Sequence, residues 1–496
     1  MTEEYPGTPD DNLGARARAA AGWQFLAKGI RTALQMVTSI VLARLLMPDD
    51  FGIIAMATMV TGLGMIFQDL GLGQALVQRE NISDRHTRAA FWGTLGMAAL
   101  LYAAVFFSAP WVGAFFDEPR MIPVVRVIGL IFVLSPFAVV PRSLLQRDLD
   151  FKTQFYAGLV SSLAYGVVGI AMALLGFGYW ALVGAPLAAG LANAVALCIL
   201  TRYVPPLIPS FRGIGDLFGF GAGVTLSGMF AYLASKIDYF VIGRRLGADP
   251  LGLYTKAFEL IELPTGTVSR VLTPVLFPSF AAMRRDLSRL RTAYGNMLSV
   301  VSFFGFPGMV VLAIVAPEAI PLVLGEQWSQ AVLPLQIMVG VGMLKVLGPP
   351  AGAVIKATGY VYREMWQQMV RAVLLGVGAW FAAPYGIEWV AAVLVVSTAI
   401  SISISSFIVY SAIEFGLRHF WRALAGPFLI SIVVGGVTVG ARSITLARTE
   451  SMALVLVVSL AAALITYAAI AFLTNIRSAQ LVRAEFRTLG KKLKLR

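Results

Sequence analysis

The sequence predicts an all-α integral membrane protein of about fourteen transmembrane helices, and three observations predict it. A chain of 496 residues that is 58% hydrophobic and only 13% charged, with a mean hydropathy of +0.79, is too apolar for a soluble globule. Its apolar runs last about 20 residues or more, the length a helix needs to cross hydrocarbon, whereas a membrane barrel alternates in segments of about ten. Its lysines and arginines fall on alternate connections, as they do in chains threaded through a bilayer.

The elements follow in order. Glu3, Glu4, Asp10 and Asp11 stand where a signal peptide is basic, and the first apolar run, from about Gly22 to Leu46, is too long for an h-region, so it is expected to stay as the first membrane helix. Polar breaks then recur near Pro48, Asn81, Asp117, Arg147, Phe177, Pro205, Asp249, Arg285, Glu326, Gly359, Tyr385, Arg418 and Arg442. The last two helices, from about Leu424 to Gly440 and from Met452 to Leu473, are almost purely apolar. From Arg477 onward the tail is basic, with Leu481, Val482, Phe486, Leu489 and Leu493 at helical spacing, the pattern of an amphipathic helix on an anionic leaflet. Cys198 is the only cysteine, and His86 and His419 lie in polar connections, so neither a disulfide framework nor a metal or cofactor site is expected.

The net charge of +13 suggests nucleic acid only in a soluble protein; here it reads by side of the membrane. An even number of helices puts both ends and every second loop on one side, which collects about 25 Lys/Arg against about seven on the other. Both termini are therefore expected in the cytoplasm, with no nucleic-acid partner.

Arg44, Leu46, Asp49 and Gly52 recur 200 residues later as Arg244, Leu246, Asp249 and Gly252, each set at a tight outer turn between two long helices. Two six-helix halves in the same orientation result, with two helices left over, so the expected divisions are 1–210, 211–415 and 416–496. Parallel repeats related by an axis along the membrane normal place a cavity between two lobes.

Seven bases lie in otherwise membrane-compatible segments: Lys28, Arg31, Arg126, Lys236, Arg270, Lys345 and Arg371. Asp69, Asp238, Glu259 and Glu262 lie at comparable depth. A cation on a membrane helix costs roughly 2.5–3.5 kcal/mol, so such residues face a bundle interior or water, and an excess of them favours an anion. On the first helix Gln24, Lys28, Arg31, Gln35 and Thr38 share one face, which points to the cavity. The second helix offers Thr58, Thr61, Gln68 and Asp69, and the seventh Ser227, Ser235, Lys236 and Asp238. The eighth carries Thr255, Glu259, Glu262, Gly266, Arg270 and Thr273, with Pro264 a candidate kink.

From these stripes, Arg31, Arg270 and Lys28 are expected to bind the anion, with Gln24, Gln35, Thr38, Gln68 and Ser235 as polar lining. Asp69, Glu259 and Glu262 are candidates for ion coupling or for balancing the bases. Lys236, Asp238, Lys345 and Arg371 form a second rank: Asp238 is expected to hold the outer turn or pair with Arg244, and Glu364, Gln367 and Arg371 share a face that serves either a structural network or a substrate contact.

The turns Arg44-x-Leu46-x-x-Asp49-x-Phe51-Gly52 and Gly243-Arg244-x-x-Gly247-x-Asp249-x-x-Gly252-x-Tyr254, with the segments Ile237–Gly243 and Gln146–Lys152, resemble those of Wzx-like polysaccharide flippases of the MOP (multidrug/oligosaccharidyl-lipid/polysaccharide) exporter superfamily, in the exopolysaccharide and colanic-acid-type branch. The resemblance implies a MATE-like fold with a central cavity lined by helices 1, 2, 7 and 8. It also implies a substrate made of an undecaprenyl-pyrophosphate-linked oligosaccharide, moved from the cytoplasmic to the outer leaflet of a bacterial inner membrane without enzymatic chemistry. Partners implied in the same way are membrane lipids and the polymerase and export machinery of polysaccharide or lipopolysaccharide biosynthesis. Related lipid II flippases line their cavity with arginines on the first and eighth helices, where Arg31 and Arg270 stand. A MATE-type cation/drug antiporter or a lipid II flippase is the alternative reading; the excess of intramembrane bases weighs against cationic cargo.

Overall fold

The computed structural model describes residues 11–69, 73, 76–77, 82–206, 208–209, 221–473, 479–480 and 483, apart from the side chains of 11–22, 24–27, 69, 221–227, 267–272 and 274. Among the described residues all regular structure is helical. Hydrocarbon offers backbone amides no partner, so each spanning segment satisfies its own hydrogen bonds.

In chain order the segments are α1 (Asp11–Leu45), α2 (Pro48–Asp69), α3 (Asp84–Phe116), α4 (Met121–Arg147), α5 (Phe151–Leu174), α6 (Trp180–Thr201), α7 (Gly221–Leu246), α8 (Ala248–Ala282), α9 (Leu287–Leu324), α10 (Glu326–Ala357), α11 (Val361–Ala382), α12 (Ile387–Ile413), α13 (Leu417–Leu446) and α14 (Met452–Leu473). Gly129 and Ser135 interrupt α4; α10 opens with a 3₁₀ turn over Glu326–Ala331 and breaks after Lys345. Ten segments are long and apolar enough to cross a membrane: α2 to α6, α9, α10 and α12 to α14. The other four, α1, α7, α8 and α11, carry most of the ionisable residues expected at depth. The protein is a multi-pass membrane protein.

The chain divides into two compact units, one of residues 1–233 with 247–249, the other of 234–246 with 250–496. The boundary falls within α7, not at the expected 210/211. The reason is local: the Tyr232 hydroxyl donates to the Thr58 carbonyl at 3.1 Å, and Gly62 leaves room for the ring, so the first half of α7 packs on α2.

In the first unit α5 runs along α6 and α1. Gly158, Gly166 and Gly169 of α5 lie against Arg31, Thr38 and Leu42 of α1, and small residues of this kind let membrane helices approach closely. Asp150 caps α5 by accepting the Thr153 amide at 3.0 Å. The repeated turns are present as helix, turn, helix. Gly247 ends α7 at a φ of +89°, a left-handed conformation that glycine takes without strain. Gly52 sits so close to the Ala248 backbone that a Cβ there would overlap it. At the first of these turns Arg120 spans Asp49 at 2.6 Å and Glu118 at 2.7 Å. That guanidinium holds the Glu118 carboxyl below the usual carboxylate range.

In the second unit α9 packs on α10, α13 and α14. Asp286 caps it, and the Arg289 amide and Ser288 hydroxyl hold that carboxyl low. The Ser299 hydroxyl donates to the Ala423 carbonyl at 2.9 Å, and Tyr467 donates to the Phe303 carbonyl at 3.3 Å. These bonds seat α13 and α14 in this unit. The tail residues Leu481, Val482, Phe486, Leu489 and Leu493 lie outside the described residues. Helix α8 runs uninterrupted through Pro264.

Candidate functional site

In the first unit the site residues are those of α1. Lys28, Arg31 and Gln35 are exposed, and among the described residues neither cation has an acidic partner. Gly158 is the platform for Arg31: a Cβ there would come within 3.0 Å of Nη1. Trp23, one turn before Lys28, meets Phe155 of α5 with ring centroids 5.7 Å apart. Thr38 and Gln68, expected to line a cavity, are instead 6% and 4% exposed. Thr38 rests on Gly166, and the Gln68 amide donates to the Phe132 carbonyl at 2.6 Å, where α4 is broken between Gly129 and Ser135. A free carbonyl at a break in a membrane helix needs a donor, and Gln68 supplies it. The side chains of Gln24, Asp69 and Arg270 lie outside the described residues. Arg126 donates to the Phe106 carbonyl at 3.3 Å and lies 4.5 Å over that ring.

The second unit brings together residues that the sequence ranked apart. Glu262 of α8 forms an ion pair with Lys345 of α10, whose ammonium also sits 4.8 Å over the Phe258 ring. Lys256 pairs with Glu259 at 2.9 Å. The Lys256 side chain is 4% exposed, and its i,i+3 spacing from Glu259 is the signal that marks it. Arg442 makes a bidentate pair with the buried Glu318, Nη2 donating to Oε1 at 2.6 Å and Nε to Oε2 at 3.0 Å.

Asp238 does not pair with Arg244. It is 2% exposed and accepts the Tyr239 amide at 3.0 Å and the Tyr254 hydroxyl at 2.8 Å. The phenol comes from one turn into α8, directly after the repeated turn, and reaches the carboxylate before the arginine. Lys236, two residues away, lies 4.1 Å over the Tyr239 ring rather than on Asp238. Ser235 is exposed.

The Glu364, Gln367 and Arg371 network is not formed. Glu364 meets Lys356 at 3.8 Å, and Gln367 donates to Ser401. Arg371 is half-buried on the face of α11 that carries the buried Gln367, Leu375 and Ala379. Helices α7 and α11 meet at Ile237 and Gly376. Among the described residues of this unit, Lys236, Lys256, Lys345 and Arg371 lie on helices that also carry Asp238, Glu259 and Glu262.

The described architecture matches solved structures. The structure titled lipid II flippase MurJ, inward closed conformation, superposes with a TM-score of 0.68 over 90% of this chain and 97% of its own, at 11% identity, a likeness of fold. Among curated relatives, the lipopolysaccharide biosynthesis protein WzxC of Escherichia coli (strain K12) is 28% identical over 71% of this chain and 72% of its own length. The succinoglycan biosynthesis transport protein ExoT of Rhizobium meliloti (strain 1021) is 27% identical over 71% of each. Residues 41–333, more than half the chain and including both repeated turns, match the family described as polysaccharide biosynthesis protein, and the chain belongs to that family.

Proposed function

We propose that the protein is a non-enzymatic flippase. It carries an undecaprenyl-pyrophosphate-linked oligosaccharide from the cytoplasmic to the outer leaflet of a bacterial inner membrane, with both termini in the cytoplasm. The observation that carries this is Arg31, exposed on a membrane helix with no acidic partner among the described residues, in a chain of a polysaccharide biosynthesis family. The names of WzxC and ExoT, a lipopolysaccharide biosynthesis protein and a succinoglycan transport protein, support the substrate class.

In this reading Arg31 and Arg270 hold the pyrophosphate, because a guanidinium stays charged and donates in a fork that matches phosphate oxygens. Lys28, a turn nearer the cytoplasmic end, draws the headgroup in. Gln24, Gln35 and Ser235 serve sugar hydroxyls, and Asp69, Glu259 and Glu262 balance or couple charge. Movement follows alternating access, the general scheme for transporters built from repeats.

The test is flipping of lipid-linked oligosaccharide in proteoliposomes, comparing wild type with Arg31→Ala and Arg270→Ala at equal protein level. Loss of transport in both is expected. Normal transport by both sinks the site. Export of cationic dyes with no movement of glycolipid replaces the reading with an antiporter.

A further inference from the structure

Helix α11 of the second unit has two faces of unlike chemistry. Gln367, Leu375 and Ala379 are buried, and Gly376 meets Ile237 of α7. On the opposite side Trp366, Met369, Val373, Val377 and Trp380 follow one another at spacings of three and four, and they are 43% to 62% exposed. Aromatic side chains cluster at both ends: Tyr362 is 79% exposed near the start, and Phe381, Tyr385 and Trp389 are exposed around the turn that follows the helix. From Tyr362 to Trp380 the helix rises about 27 Å, close to the ~30 Å of hydrocarbon in a bilayer. An apolar stripe of that length, closed by aromatic rings at each end, is the pattern of a face that meets lipid.

A cation stands on the end of this face. Arg245, in the last turn of α7, lies with its guanidinium carbon 3.7 Å over the Trp380 ring. It is exposed, and among the described residues it makes no hydrogen bond or ion pair. Stacking covers the flat face of a guanidinium and leaves its N–H donors, which lie in the plane, unspent. The stack also holds the fork in one place, so little side-chain freedom remains to be lost when an anion arrives. Both helices end within two residues of this contact, which puts the fork where the chain leaves the bilayer.

We propose that Arg245 and Trp380 form the headgroup site of a bound anionic phospholipid whose acyl chains lie along Val377, Val373 and Met369. The guanidinium fork takes two oxygens of the phosphodiester, the indole holds the fork, and the exposed stripe receives the tails. A choline or ethanolamine headgroup brings a second positive charge beside the arginine, whereas a glycerol headgroup leaves the whole attraction intact. The occupant is therefore a lipid of net negative charge, of the phosphatidylglycerol kind. Once bound, it ties the end of α7 to α11. The site stands on these two helices and does not rest on the flippase reading.

The experiment is lipid binding to the purified full-length protein in neutral detergent, read by native mass spectrometry. Its probes are phosphatidylglycerol, phosphatidylcholine and diacylglycerol with the same acyl chains. Wild type is expected to bind phosphatidylglycerol about tenfold or more tightly than either of the others, and Arg245→Gln to weaken that binding about tenfold, the loss of a charge-assisted bidentate contact. Arg245→Lys keeps the charge without the fork, and Trp380→Leu keeps the fork without its platform; each is expected to weaken binding about threefold. Arg448→Gln, which removes an exposed base that stacks on no ring among the described residues, leaves affinity within about twofold of wild type. Wild-type affinity in Arg245→Gln, an equal loss in Arg448→Gln, or phosphatidylcholine bound as tightly as phosphatidylglycerol each overturns the site. Full affinity in Arg245→Lys, a variant that preserves the surface charge, overturns the stacked fork. Those results leave the flippase reading standing, because that reading is judged by transport in the Arg31 and Arg270 variants.

Discussion

The cations of the two units face opposite situations. On α1 of the first unit Lys28 and Arg31 are exposed, with no acid beside them among the described residues, and Arg31 lies flat on a glycine. In the second unit Lys256, Lys345 and Arg442 are each consumed by a glutamate. Bases that look alike in a hydropathy profile therefore do different work. A paired base fixes helices to one another, because removing either partner strands a charge in a medium of low dielectric. An unpaired base holds a charge available to something that arrives.

The comparison breaks most decisively at Glu318. It is 7% exposed and bidentate with Arg442, so Glu318→Gln should cost about 3 kcal/mol of stability by stranding that guanidinium. A lowered thermal unfolding midpoint in detergent, with any surviving folded protein still transporting, checks it; an unchanged midpoint would show the pair to be idle. Arg31→Gln should do the reverse. Transport is expected to fall about tenfold or more, from the loss of a charge-assisted bond of roughly 1.5–3 kcal/mol, while the unfolding midpoint stays put. A large loss of stability in that variant would erase the distinction between the units.

A finer probe is Gly158. Valine there pushes the Arg31 guanidinium off α5 and should cost about 1 kcal/mol in packing and reduce flipping about threefold. Gly158→Ala meets only the flexible end of Arg31 and should do less. Transport rates of the two variants, side by side, test whether the glycine positions the arginine.

The smallest effect lies at the repeated turns. Asp49 has Arg120, whereas Asp249 is pushed above the usual carboxylate range by burial and by the Asp49 charge. A carboxyl whose folded-state value is raised favours the folded state while protonated. That stability is present below the unfolded value and fades as pH rises through the folded one. Asp249→Asn should therefore stabilise the protein by a few tenths of a kcal/mol at pH 7, with no gain at pH 3.5, after allowance for solvent screening of an exposed group. Melting both proteins across that range decides it; an equal shift at both pH values would refute the repulsion.

Much of the architecture was legible from local pattern. The apolar runs placed the helix breaks, and the recurrence of Arg44 to Gly52 at Arg244 to Gly252 marked two turns that the structure builds alike. The stripe on α1 was legible only in part. Gln35 and Arg31 are exposed, but Thr38 is enclosed against Gly166, because helical spacing names a face without saying how far along it a neighbour extends. Gln68 read as cavity lining because its partner is a carbonyl at a break in α4, and no residue-level pattern announces an orphaned carbonyl. Asp238 was read as holding the turn or pairing with Arg244, and the group that claims it is the phenol across the turn, Tyr254.

The sequence by itself determined that the chain is a bundle of membrane helices with repeated turns and a surplus of positive charge at depth. Those properties follow from hydropathy, length and spacing, which act within a segment and are set before any segment meets another. Only the tertiary structure decided which charges are spent. Lys345 and Glu262 lie 83 residues apart, and Arg442 and Glu318 lie 124 apart. Pairing energy depends on distance in space between groups taken out of water, and that distance exists only once the helices have packed.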